Sequence, residues 1–119
     1  MSESKVVIYH NPRCSKSRQT LDLIKRSGFE PEVVLYLENP PSAERLATLV
    51  EAMGKHPLEI TRTKEALFKE LGLTKKDERS ESEWIRILAD NPKLIERPIV
   101  VNGNQVAMGR PTENVLDIL

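Results

Sequence analysis

The sequence predicts an α/β chain whose mixed four-stranded sheet is flanked by helices, in the order βαβ, helical insertion, ββα. Three features predict it. A β-branched run, a helical repeat and a second strand-like run open the chain, a helical stretch fills its middle, and an Asn-Gly pair joins two strand-like runs near its end. Alternation of strand and helix leads to a layered sheet with helices on its faces.

Val6-Val7-Ile8-Tyr9 stops at His10-Asn11-Pro12, which reads as a buried strand running into a loop. From Ser15 onward, Ser17, Thr20, Leu21 and Ile24 recur at helical spacing, Leu23 widens the face, and Gly28 is placed to end the helix. Glu32-Val33-Val34-Leu35-Tyr36 is the next strand, and a helix between two buried strands predicts a right-handed parallel crossover. Asn39-Pro40-Pro41 breaks the chain. Ser42 then caps a second helix with Leu46, Leu49, Val50 and Met53 on one face and Gly54 as its stop. Between Pro57 and Asp90 one helical segment carries Leu67, Phe68 and Leu71, and another carries Trp84, Ile85 and Leu88 behind the capping-box pair Ser80 and Glu83. Finally, Ile99-Val100-Val101 and the run from Asn104 to Met108 flank Asn102-Gly103, a strong hairpin signal, and Pro111 to Leu119 forms a short closing helix.

A length of 119 residues suits one domain, 1–119, with the helical insertion at about 42–92. Lys plus Arg and Asp plus Glu each total 18, so no global field draws the chain to nucleic acid or a membrane. The apolar run within the first ten residues is too short for a signal-peptide core, and no later run spans a bilayer. A cytoplasmic protein is expected. One cysteine forms no internal disulfide, and with only His10 and His56 as histidines no metal site is expected.

That cysteine, Cys14, falls between the first strand and the first helix, in His10-Asn11-Pro12-Arg13-Cys14-Ser15-Lys16-Ser17-Arg18. Free N–H groups and the helix dipole stabilise a thiolate at such a position, and Arg13, Lys16 and Arg18 push the same way. The same basic residues also match a solvated surface. Ser17 makes the pattern Cys-x-x-Ser, so no resolving cysteine is at hand and a mixed disulfide at Cys14 needs an outside thiol. His10 is placed either to donate to Ser15 or the thiolate, or simply to end the strand. Arg97 and Arg110 each precede a proline, where the chain is extended or tightly turned.

Ile8-Tyr9-His10-Asn11-Pro12 with Cys14, Leu37-Glu38-Asn39-Pro40-Pro41, Arg97-Pro98-Ile99-Val100-Val101 and Gly109-Arg110-Pro111 resemble the glutaredoxin-coupled arsenate reductase family. The resemblance spans nearly the whole chain and implies a thioredoxin-like fold. It makes Cys14 the nucleophile that attacks arsenate and assigns Arg62, Arg97 and Arg110 to the oxyanion. His10, Asn11, Ser15 and Ser17 would support the site, and Pro98 would follow a cis peptide bond. No cofactor or metal is implied; glutathione is the co-substrate and glutaredoxin the partner. Ser15-Lys16-Ser17 departs from the Gly-Thr-Ser that resistance-conferring members tend to carry. Two other functions are compatible with the residues. A Cys-x-x-Ser site also suits a monothiol thiol-disulfide oxidoreductase, and Spx-type regulators, which bind RNA polymerase, resemble the same family but carry Cys-x-x-Cys when they sense redox state.

Overall fold

A computed structural model of the chain describes residues 6–119; residues 1–5, part of the opening segment read above for a leader, lie outside the described residues. The described residues fall into two compact units, one of residues 6–39 with 97–119 and one of residues 40–96. Among the described residues no helix is long and apolar enough to cross a membrane.

The first unit holds β1 (Val6–His10), α1 (Ser15–Arg26), β2 (Glu32–Leu35), β3 (Ile99–Asn102), β4 (Gln105–Met108) and a closing 3-10 segment, Thr112–Ile118. Strand order is β2-β1-β3-β4, with β1 parallel to β2 and antiparallel to β3, and β3 antiparallel to β4. This is the mixed four-stranded sheet of the βαβ…ββα reading, and the thioredoxin-like arrangement. Alternation along β1 buries Val6, Ile8 and His10 more deeply than Val7 and Tyr9. Val6 and Ile8 join Ile24 of α1, Val100 of β3, and Val115 and Ile118 of the closing segment in one core. Burying that apolar surface supplies the main stabilisation.

In this first unit two details of the strands differ from expectation. β2 stops at Leu35 and is an edge strand rather than a fully buried one, so Val33 stays 41% exposed. The hairpin pairs Asn102 with Gln105, which makes Gly103-Asn104 the two-residue loop instead of Asn102-Gly103. Gly103 has φ +64° and no described non-glycine residue has positive φ, so glycine takes the first central position, as a II′-like turn requires.

In the second unit, Ser42 Oγ caps α2 (Ala43–Met53) by accepting from Arg45 N–H at 3.0 Å, and Gly54 ends it in the left-handed region. A 3-10 turn, Pro57–Ile60, follows, capped by His56 Nδ1. α3 (Ala66–Glu70) buries Phe68, but the helix ends too soon to carry Leu71 into the core, and Leu73 is buried instead. α4 (Glu81–Asp90) starts with the expected reciprocal box: Ser80 Oγ accepts from Glu83 N–H at 3.1 Å, and Glu83 Oε1 accepts from Ser80 N–H at 3.0 Å. Leu46 and Leu49 of α2, with Trp84 and Leu88 of α4, are fully buried. Phe68 stacks on Trp84 with ring centroids 6.2 Å apart, and the Arg79 guanidinium lies 5.7 Å from the same indole.

Because Ser80 satisfies an otherwise orphaned helical N–H, Ser80→Ala is expected to lower the unfolding free energy by about 1 kcal/mol. Urea unfolding followed at Trp84 fluorescence measures this; an unchanged midpoint means the box adds nothing.

Candidate active site

The site grows from the carboxyl end of β1. Asn11 Oδ1 accepts from Arg13 N–H at 3.0 Å, and Cys14 N–H donates to Asn11 O at 3.0 Å, so the loop after His10 closes as a tight turn. Arg18 Nη1 ties down its tip by donating to Pro12 O at 2.8 Å. The turn delivers Cys14 to the N-cap position of α1, with extended backbone (φ −97°, ψ 122°).

Buried polar groups hold this geometry. The Ser17 hydroxyl, fully buried, accepts from Asn11 N–H at 3.0 Å and lies 2.6 Å from His10 Nδ1. His10 therefore engages Ser17, not Ser15, because Ser17 lies on the inward face of α1 while Ser15 is exposed. Burial, then the charges of Arg18 and Lys25, push the His10 pKa below its ordinary value. A neutral imidazole at pH 7 follows, able to accept the Ser17 proton.

Cys14 is 7% exposed. Burial is the largest influence on its thiol and raises the pKa, because it penalises the charged form. The Ser17 N–H, the hydrogen bond and charge of Arg97, and the Lys16 N–H oppose it, and their sum leaves the pKa below the ordinary thiol value. Arg97 is thus the principal charge acting on the sulfur. The side chains of Arg13, Lys16 and Arg18 are exposed, and Lys16 acts through its backbone.

Arg110 reaches the sulfur directly, with Nη2 at 3.3 Å from Sγ, while its Nε donates to Arg97 O at 2.6 Å. Gly109 N–H donates to Pro98 O at 2.9 Å, and the Arg97-Pro98 bond is cis, as is Arg110-Pro111. Two residues in this frame, Gly109 and Thr20, were named in the sequence without a role at the site. A Cβ on Gly109 would lie 2.7 Å from Thr20 Oγ1 and 2.8 Å from Pro98 Cγ, so only glycine fits. Thr20, fully buried, donates its hydroxyl to Lys16 O at 2.8 Å; its signal was a polar residue three positions after Ser17 on the buried stripe.

The first unit therefore brings together His10, Asn11, Cys14, Ser17, Arg97, Pro98 and Arg110. Arg62 lies in the second unit, where Nη1 pairs with Glu65 at 2.8 Å and Nε with Glu96 at 3.7 Å, and its backbone N–H donates to Leu94 O at 2.7 Å. Among the described residues no group of three or more His, Cys, Asp or Glu side chains is placed to hold a metal ion. A polarised sulfur beside two guanidinium groups is suited to nucleophilic attack on a tetrahedral oxyanion.

Residues 9–118 match the ArsC family. The chain is 53% identical over 116 residues to the uncharacterized protein YfgD of Escherichia coli K12, covering 97% of both chains. It is 43% identical to an arsenate reductase of Haemophilus influenzae, covering 96% of this chain and 98% of that one. An arsenate reductase structure from Vibrio cholerae superposes with a TM-score of 0.92 at 47% identity, covering 99% of this chain and all of the other.

Alkylation of Cys14 is expected to titrate with a midpoint below the free-cysteine value of about 8.5, and Arg97→Ala should move the midpoint upward. Since the folded-state pKa is depressed, the stability contributed by the thiolate is present above the unfolded value and lost as pH falls through the folded one. A midpoint indifferent to Arg97 would remove that residue from the site. Overpacking at Gly109 should make Gly109→Ala destabilising by about 1–3 kcal/mol in urea unfolding; a neutral effect would show that Thr20 and Pro98 yield without cost.

Proposed function

The chain belongs to the ArsC family, and on that footing we propose that it reduces arsenate to arsenite with Cys14 as the attacking thiolate. The observation that carries this reading is the Arg110 guanidinium 3.3 Å from the Cys14 sulfur, with Arg97 favouring the same negative charge. Named relatives that are arsenate reductases, matched over nearly their whole length, support it.

Arsenate presents tetrahedral, negatively charged oxygens. Guanidinium forks match such oxygens in geometry and stay charged at any relevant pH. Arg97 and Arg110 hold the anion against the sulfur, offset its repulsion of the thiolate, and stabilise the charge that builds on oxygen during attack. By resemblance, Arg62 is proposed as a further oxyanion ligand. Within the second unit its guanidinium is held by Glu65 and Glu96.

The thiolate displaces one arsenate oxygen, which leaves as water after protonation, and arsenic remains As(V). Glutathione then displaces a second oxygen as water and forms an As–S bond. A glutaredoxin thiolate attacks the glutathione sulfur, the As–S electron pair stays on arsenic, and arsenic becomes As(III) as a mixed disulfide departs. Hydrolysis frees arsenite and returns Cys14 to the thiolate. Overall, arsenate and two outside thiols give arsenite, one disulfide and one water. Ser17, buried and bonded to His10, offers no sulfur for an internal disulfide, which is why both reducing thiols come from outside. A cytoplasmic location, where thiols remain reduced, belongs to the same proposal.

Purified protein supplied with arsenate, glutathione and glutaredoxin should form arsenite, and Cys14→Ser should abolish it. Arg97→Lys and Arg110→Lys keep a charge but lose the fork, so each should raise the arsenate KM by about tenfold or more. No arsenite from protein whose Cys14 is intact and alkylatable would defeat the reading. Turnover of a glutathionylated substrate by that same protein would put monothiol disulfide exchange in its place.

A further inference from the structure

Thr20 stands where the inner face of α1 calls for hydrocarbon, between Ser17 and Ile24 on a stripe that is fully buried. A hydroxyl in such a place costs free energy unless it is bonded. It is bonded, donating to the Lys16 carbonyl at 2.8 Å. Yet a carbonyl inside an α-helix already receives the N–H four residues on, so the helix itself has no need of a second donor. Packing would be served as well by valine, which has the same branched shape and no polar atom.

The use of the hydroxyl lies across the peptide group that it touches. Lys16 C=O and Ser17 N–H belong to one planar amide. Burial raises the Cys14 pKa, and among the groups that lower it the Ser17 N–H comes first. A donor on the oxygen of an amide polarises its N–H and strengthens the next bond by about 10–30%. Hydroxyl, carbonyl, N–H and sulfur thus form one series from Thr20 to the reacting atom. The hairpin holds the start of that series in place. Thr20 Oγ1 and its methyl carbon lie 2.7 and 3.1 Å from where a Cβ on Gly109 would stand, so the side chain is confined against the backbone that leads into Arg110.

We propose that Thr20 is a positioning residue for the nucleophile, its hydroxyl aiming and polarising the Ser17 N–H toward the Cys14 sulfur. The proposal rests on the thiolate of the reading above and adds to it a side chain that acts only through the groups around the sulfur. The other groups at work there are Arg97 and Arg110 from the hairpin, the Lys16 N–H from α1, and His10 of β1, which engages Ser17 through its side chain. A change at position 20 that keeps its shape leaves all of these in place.

Thr20→Val removes the donor and keeps the shape, whereas Thr20→Ser keeps the donor and removes the methyl. In folded Thr20→Val the Cys14 alkylation midpoint should move upward, with the rate below that midpoint lower by about twofold. Thr20→Ser should retain the midpoint of the unsubstituted protein. A midpoint that stays put in Thr20→Val would overturn the proposal; an equal rise in both variants would do so too, by making shape the cause. One measurement needs no variant. In an NMR pH titration of the unsubstituted protein, the Ser17 amide proton, the Lys16 carbonyl carbon and the Thr20 β carbon should all follow the Cys14 midpoint, and a flat Thr20 β carbon would sink the idea. With arsenate, the acidic limb of kcat/KM should rise in step with the alkylation midpoint, because that limb reports the free enzyme. Absence of arsenite from the unsubstituted protein would defeat the reductase reading, while alkylation and NMR would still decide the role of Thr20.

Discussion

A sulfur that is 7% exposed is a costly place for a negative charge, and burial alone drives Cys14 toward the neutral thiol. Reactivity at neutral pH therefore depends on donors fixed in place before any substrate arrives. Two come from the first turn of α1, whose N–H groups have no carbonyl partners within the helix. The others are the guanidinium groups of Arg97 and Arg110, which arrive from chain positions more than eighty residues away. Charge compensation at one atom thus requires two distant stretches of the first unit to be correctly paired. Neither stretch alone supplies all of these donors.

Sheet register performs that pairing. Tyr9 of β1 stands opposite Ile99 of β3, and Ile99 stands opposite Met108 of β4, so the ends of three strands lie level with one another. One residue beyond Tyr9 is His10, where the cysteine loop begins. Two residues before Ile99 is Arg97, and two beyond Met108 is Arg110. The ladder continues past the strands through Gly109 N–H to Pro98 O and Arg110 Nε to Arg97 O. Gly109 permits this close approach because any Cβ there would strike Thr20 and Pro98. Thr20 is itself on α1, so the helix that bears the cysteine also limits how far the hairpin can move.

Much of this was legible in the residues, and the failures have definite causes. Strands, caps and helix stops carry local signals, and Ser42, Gly54, Ser80 and Glu83 act as their chemistry requires. The position of Cys14 at a helix N-cap was readable from the switch between β-branched and helical spacing. The hairpin turn was misplaced by one residue, because glycine suits either a I′ or a II′ loop and sequence does not choose between them. The slip matters: a turn at Asn102-Gly103 would set Arg97 opposite Met108, whereas the observed turn sets it opposite Arg110. His10 was paired with the wrong serine for a related reason. Ser15 and Ser17 are equally able to accept a hydrogen bond, and only helical phase decides which points inward. The source of charge on the sulfur was misjudged because nearness in sequence made Arg13, Lys16 and Arg18 conspicuous, while Arg97 acts through tertiary contact.

The same distinction between side chain and backbone bears on Ser15-Lys16-Ser17, which departs from the Gly-Thr-Ser that the family resemblance leads one to expect. What the sulfur receives from position 16 is an N–H, which every residue but proline supplies. Position 15 lies at the exposed first residue of α1, with its side chain directed away from the buried stripe. Ser17, the member shared by both patterns, is the one whose side chain is buried against His10 and Asn11. The departure therefore falls on the outward surface of the first turn and leaves in place the Ser17 side chain and the N–H groups of positions 16 and 17. Lys16 is exposed on that surface, while the sulfur draws on its backbone N–H.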